Sequence, residues 1–178
     1  MAKALQYMLM EIIKKRKSVR SYSSKEVPEE VIKEIIEAAR LAPSAKNLQE
    51  WKFIIVRDEK IREKLCEAAK GQKFVKEAPV VIAGVATYTK YVMSNGIPAC
   101  HVDLAIAIEH IALAAAEKGL GTCWIGAFYQ DKVKEILEVP EDCLVVVLMT
   151  LGYPKEELKP EEKNRKSLEE IICWEKYC

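Results

Sequence analysis

The 178-residue chain predicts one domain in which helices pack against strongly apolar strands. Three observations carry that prediction. Residues 80–86 and 143–151 are nearly continuous apolar runs of strand length, the pattern of strands covered on both faces. Residues 28–41 place Val31, Ile32, Ile35, Ile36 and Ala39 on one helical stripe. Residues 102–118 read as a helix that is apolar on nearly every side. Such a helix must be buried on most faces, in a large core or at a subunit interface.

Each element has a local reason. Residues 3–15 form a helix with Leu5, Met8, Leu9, Ile12 and Ile13 on its apolar positions, ending in basic residues. Pro28 at the first helical position, followed by Glu29 and Glu30, opens the next helix with carboxylates at its positive end. Pro43 stops it. Residues 51–56 read as a strand, and Asp58 caps a helix to about Ala69 that Gly71 ends. Pro79 opens the strand at 80–86. Asn95-Gly96 and Pro98 mark residues 87–99 as a loop. Gly119 closes the apolar helix, and residues 122–128 are a strand or extended loop. Asp131 starts a short helix to about Leu137, and Gly152-Tyr153-Pro154 ends the last strand. Residues 155–166 are too polar for a core of their own, whereas 168–174 are apolar again. Such an arm needs a docking surface, on its own body or on a partner. No repeat, low-complexity tract or internal domain boundary interrupts the chain.

Composition excludes several classes. Half the residues are apolar, and the net charge is +1, so no global field draws the chain to nucleic acid or anionic membrane. No apolar run reaches the roughly 18–20 residues that span a bilayer. The N-terminus lacks the charge order and cleavage site of a signal peptide, so the expected location is the cytoplasm. The six cysteines, Cys66, Cys100, Cys123, Cys143, Cys173 and Cys178, form no CxxC pair. Buried free thiols are therefore expected, with no metal centre, and a Cys173–Cys178 disulfide stays open. His101 and His110 lie near or on the apolar helix without a third ligand nearby. No Ser-His-Asp or Cys-His arrangement is legible.

Four segments carry chemistry. Arg16-Lys17-Ser18-Val19-Arg20 sets three cations and a hydroxyl in five residues, a donor set suited to phosphate. On an extended chain Arg16, Ser18 and Arg20 share a face. Alone, the segment reads more simply as a solvated basic helix end. Ala42-Pro43-Ser44-Ala45-Lys46-Asn47-Leu48-Gln49-Glu50-Trp51 packs turn formers and amides between a helix and a strand. Gly119-Leu120-Gly121 leads into Thr122-Cys123-Trp124-Ile125-Gly126, where small residues let backbone approach a planar ligand. Lys163-Asn164-Arg165-Lys166 lies in the polar arm.

In this order and separation, the segments resemble the nitroreductase family of small NAD(P)H-dependent flavoenzymes. The family pattern is R-x-S-x-[RK], then APS-x-x-N-x-Q-x-W, then a basic K-x-R element near the C-terminus. The resemblance runs from about Glu11 to Trp174. It implies an α+β fold, a mostly antiparallel central sheet flanked by helices, in an intertwined homodimer. The whole chain, 1–178, would be one FMN-binding domain, with residues 155–178 as an arm docking on the partner subunit.

The resemblance also implies roles. Arg16, Lys17, Ser18 and Arg20 would hold the phosphate, ribityl and pyrimidine end of FMN, with Arg20 stabilising negative charge near N1 and O2. Pro43, Ser44, Ala45 and Asn47 would come from the other subunit. Ile125 and Gly126 would line the ring, and Lys163 and Arg165 would complete a phosphate clamp. NADH or NADPH would donate a hydride, and a small acceptor, a nitroaromatic or quinone, would then be reduced by a ping-pong route. The flavin carries the chemistry, so no catalytic side chain is nominated.

There are departures from the family. Glu50 replaces a frequent proline, Gly126 stands where classical members carry glutamate, Gln72 is the stand-in for an expected amide, and the 87–99 loop is short. Two other readings stand beside the first: a dehalogenase or flavin-fragmenting relative, and a flavin-binding carrier or sensor without turnover.

Overall fold

A computed structural model describes residues 2–160 and 163–178, the side chains of residues 2–7 excepted. The expected inward face of Leu5 therefore lies outside the described residues. The elements are α1 (Ala2–Lys15), α2 (Glu29–Arg40), a 3-10 turn (Ala45–Asn47), β1 (Trp51–Val56), α3 (Glu59–Ala68), α4 (Phe74–Glu77), β2 (Val80–Ala86), α5 (Ala99–Glu117), β3 (Gly121–Ile125), α6 (Gln130–Leu137) and β4 (Leu144–Gly152). The four strands form one antiparallel sheet in the order β1-β2-β4-β3.

The sheet separates two apolar layers. On one face Val80, Ile82, Val147 and Met149 meet Ile32, Ile35 and Ala39 of α2 and Ala107, Ile108 and Ile111 of α5. On the other, Val81, Ala83, Val85 and Leu148 meet Leu65 of α3 and Val133 of α6. Every residue of β2 is buried, which explains why its sequence shows no alternation. α5 is long and apolar enough to cross a membrane, but here its apolar sides fill the layer between α2 and the sheet.

Several ends follow from local chemistry. The Asp58 carboxylate accepts from the Ile61 N–H at 2.9 Å and caps α3. α5 closes in a Schellman motif: Gly119 sits at φ +73°, its N–H donates to Ala116 O, and the Leu120 N–H donates to Ala115 O. The structure differs from the sequence reading in two helix starts, in one further helix and in β3, which ends at Ile125 rather than running to residue 128. α5 begins at Ala99, directly after Pro98, because the proline sits at its cap. Pro28 likewise occupies the cap of α2 rather than its first turn. The short helix α4 carried no sequence signal, since four residues show no period; buried Val75 sets it against the α3 layer.

The arm begins on its own body. Leu158 is buried beside Val19, Tyr22 and Ala78. Beyond it Leu168, Ile171, Ile172, Trp174 and Tyr177 are exposed. Cys173 and Cys178 form a disulfide across the terminal turn. Cys66, Cys100 and Cys123 are buried free thiols, and Cys143 is half-buried.

Candidate flavin site

The basic segment leaves α1 and runs along the outer edge of β3. The Val19 N–H donates to Thr122 O at 2.8 Å, and Ser18 bridges Thr122 in parallel. Val19 turns into the protein while Ser18 and Arg20 are exposed. This contact requires Gly121. A Cβ there would lie 2.6 Å from Val19 Cγ2 and 2.8 Å from Val19 Cβ, so only glycine lets the segment approach this closely.

Tyr22 locks the far end of the segment. Its hydroxyl donates to Val19 O at 2.8 Å. It has one proton, so in the 2.7 Å contact with Thr150 Oγ1 the threonine donates. Burial is the main reason the Tyr22 phenol is pushed far above its ordinary pKa, with the threonine bond opposing. It stays neutral across the working pH range. Tyr22→Phe would leave Val19 O and fully buried Thr150 without this partner. The expected cost is about 1–3 kcal/mol, read as a fall in melting temperature of roughly 2–4 °C per kcal/mol for a chain of this size. An unchanged melting temperature would contradict the lock.

Cations gather at the start of the segment. Arg16 Nε lies 3.4 Å from Glu109 Oε1 on α5. Lys163 Nζ donates to Ile13 O and Arg16 O, both at 2.6 Å, capping the negative end of α1. The arm thus brings Lys163 to the basic segment within one chain. Arg165 is exposed, and its guanidinium donates to Asn164 O. The Arg20 guanidinium lies 5.9 Å from the Phe74 ring centroid. Cys123 sits under this surface. Burial raises its thiol pKa, while the Arg20 charge and a Ser18 hydrogen bond oppose that.

β3 leads directly past this surface. The Ile125 side chain is buried in the α3–α6 layer, so what this residue can offer a ligand is backbone. Gly126 is exposed, and a Cβ added to it would meet nothing within 4 Å. The open space beside its backbone suits a flat ligand. Gln72 ties this stretch to α3, donating to Ala69 O at 2.9 Å and Ala127 O at 3.3 Å.

The Pro43–Asn47 segment sits elsewhere. Lys46, Asn47 and Gln49 all adopt positive φ, between 52° and 56°, a conformation that non-glycine residues hold only when neighbours enforce it. Ser44 Oγ accepts from the Gln49 N–H at 3.0 Å. Lys46 Nζ lies 4.8 Å over the Tyr91 ring. Ala45 N–H donates to Asp103 Oδ1 at 3.0 Å. Asp103 and Glu109 are six residues apart on α5, which is about 9 Å along the axis and well round its circumference. The two motifs are therefore anchored to different faces of α5.

A separate groove of about 610 Å³ runs between α2 and the edge strand β1, floored by Ile32, Ile36, Trp51, Phe53 and Ile55. It meets the second motif at Trp51 and includes no residue of the Arg16–Arg20 or Pro43–Asn47 segments. His110 is used in packing, its Nδ1 lying 3.1 Å from Ala38 O.

The model of the nitroreductase family matches residues 13–77 and 66–153. A protein of Archaeoglobus fulgidus, provisionally assigned as an NADH dehydrogenase/NAD(P)H nitroreductase, is 36% identical over 154 residues, covering 83% of this chain and 86% of its own. An FMN-dependent nitroreductase from Clostridium difficile superposes with a TM-score of 0.83 at 31% identity, over 94% of this chain and 99% of its own. The NADPH:FMN oxidoreductase of Vibrio harveyi, solved with NAD+, superposes with a TM-score of 0.87 at 26% identity, over 96% of this chain and 78% of its own. Fold, motif order and sequence agree: this chain belongs to the nitroreductase family.

Proposed function

We propose that the chain is an FMN-dependent NAD(P)H oxidoreductase that reduces a small acceptor such as a nitroaromatic or a quinone. The observation that carries this reading is the pairing of exposed Ser18 and Arg20, held along β3, with the open backbone at Gly126. Donors for a phosphorylated, anionic ligand stand along β3 at Thr122, and open backbone follows the end of the same strand at Gly126. Family relatives that are FMN-dependent or act with NADPH support the same reading.

FMN bound here would supply hydride and electron transfer between NADH or NADPH and the acceptor in a ping-pong sequence, and the protein would supply position and electrostatics. Arg16, Lys17 and Ser18 bind the phosphate and ribityl chain. Arg20 places a cation at the pyrimidine end. The Gly126 N–H and the Ile125 backbone orient the ring. Lys163 contributes positive charge while holding the end of α1, and Arg165 is the second cation of the arm.

Pro43, Ser44, Ala45 and Asn47 complete the site of a second subunit, which accounts for their place on another face of α5. The chain is one domain, and the exposed end of its arm docks on the partner. The apolar groove along β1 and the exposed Leu168, Ile171, Ile172 and Trp174 support that assembly.

The test is an anaerobic visible spectrum of the protein loaded with FMN, before and after NADH and then NADPH, with the molar mass measured in parallel. The expected result is retained flavin, bleaching by at least one nucleotide, and the mass of two chains. Protein that retains no flavin would overturn the reading. Retained flavin that neither nucleotide bleaches would move it to a carrier or sensor.

A further inference from the structure

Asp103 is the one charged side chain that is buried among the described residues, at 8% exposure. It interrupts an otherwise apolar helix layer, where an isolated carboxylate is costly unless it is hydrogen-bonded. Its Oδ1 accepts from the Ala45 N–H at 3.0 Å. That bond reaches from α5 across to the strained segment that follows α2.

The other contacts of that segment are short in sequence. Asn47 N–H donates to Ser44 O, Leu48 N–H to Ala45 O, and Gln49 N–H to Ser44 Oγ. Gln49 Nε2 donates to Asn47 O. These set the shape of the turn but not its position on the body. Three positive-φ residues in four positions persist only where the surroundings over-determine them. Among the described residues, two hydrogen-bond or cation–ring contacts tie the turn to the rest of the protein: the stacking of exposed Lys46 on half-buried Tyr91 of another loop, and the buried Asp103 bond, which reaches the rigid helix.

We infer that Asp103 is a positioning residue for flavin binding in trans. By holding Ala45, it fixes the Ser44–Asn47 backbone in the form offered to the second subunit's flavin, without touching the flavin. The inference rests on the proposed flavin site and subunit pairing. The required chemistry is a buried acceptor at this point rather than a charge, so asparagine can keep the bond and alanine cannot.

The experiment has three readouts. First, amide hydrogen exchange at Ala45 in the flavin-free protein reports the bond without FMN. Protection is expected in the wild type and in Asp103→Asn, with at least tenfold faster exchange in Asp103→Ala at matched global stability. Second, the FMN dissociation constant is expected to rise roughly tenfold or more in Asp103→Ala, with most of the affinity recovered in Asp103→Asn. Third, mixed dimers are formed from one Arg20→Ala subunit and one Asp103→Ala subunit. If Asp103 serves the other subunit's site, one site carries both lesions and its mate carries none. One FMN then binds per mixed dimer with wild-type affinity.

A mixed dimer with two weakened sites and none of wild-type affinity would overturn action in trans. FMN affinity unchanged in Asp103→Ala, with a wild type that binds FMN, would overturn the positioning role. A wild type that retains no FMN would instead fail the flavin reading, while Ala45 exchange would still decide whether Asp103 holds the turn. Asp103→Asn keeps the inference open to refutation should the alanine variant fold poorly: weak FMN binding with Ala45 still protected would separate the bond from the site and overturn the role.

Discussion

Arg20→Ala is expected to remove most FMN affinity while leaving the fold in place. Arg20 is exposed, and its guanidinium lies 5.9 Å from the centroid of the Phe74 ring. Exposed cation–π contacts contribute about 0.5–1 kcal/mol, so the melting temperature of the flavin-free protein should fall by only a few degrees. Against a bound flavin the same guanidinium would make charge-assisted hydrogen bonds, which contribute about 1.5–3 kcal/mol each. At 1.4 kcal/mol per tenfold, that is a rise in the FMN dissociation constant of roughly 10–100-fold per bond. Arg20→Lys keeps the charge but loses the planar fork, so it should fall between the two. Fluorescence quenching of FMN titrated with protein measures this directly. An Arg20→Ala protein that binds FMN as the wild type does would remove Arg20 from the site.

Gly121→Ala is expected to damage stability and flavin binding together. In a strand, alanine normally gains about 0.5–1 kcal/mol over glycine through backbone entropy. Here the sign reverses. The new Cβ would sit 2.6 Å from Val19 Cγ2 and 2.8 Å from Val19 Cβ, and Val19 cannot yield easily. Its N–H is bonded to Thr122 O and its carbonyl to the Tyr22 hydroxyl. Overpacking of this kind costs about 1–3 kcal/mol. Subtracting the entropy gain of about 0.5–1 kcal/mol leaves a net loss of up to about 2.5 kcal/mol, a melting-temperature fall of up to roughly 10 °C. Ser18 and Arg20 flank Val19, so relief of the clash must move them, and FMN affinity should drop with stability. Val19→Ala in the same chain removes the Cγ contacts but not the Cβ contact, so it should restore part of both. A Gly121→Ala protein of wild-type stability would show that the segment is held less tightly against β3 than its hydrogen bonds indicate.

The legible parts of this protein are those whose cause is local in sequence. The stripe Ile32, Ile35 and Ala39 names the inward face of α2 because helical period alone decides it. Asp58 announces the start of α3 because its cap bond spans three residues. The apolar run of β2 marks a strand covered on both sides, and Gly119 marks the end of α5 because few other residues adopt positive φ freely. The basic segment and the Pro43–Asn47 turn are recognisable as motifs for the same reason: order and spacing are properties of the chain.

The features that complete the candidate site depend on pairings between distant residues. Nothing near Tyr22 in sequence points to Thr150, and a tyrosine beside a basic run reads as surface until β4 comes to lie against it. Gly121 looks like a turn glycine; its purpose is the clearance for Val19, a hundred residues earlier. Asp103 could be seen in the sequence as a carboxylate near the start of an apolar helix, a signal that was present but had no partner until the fold brought Ala45 to it. Lys163 reads as one cation of a polar linker, and the fold turns it towards the open end of α1. The main elements, the apolar layers and the family motifs are written into the chain, because they follow from period, local capping and order along it. The placement of the two motifs on different faces of α5 came with the fold, since that separation is set by where a rigid helix lies between them.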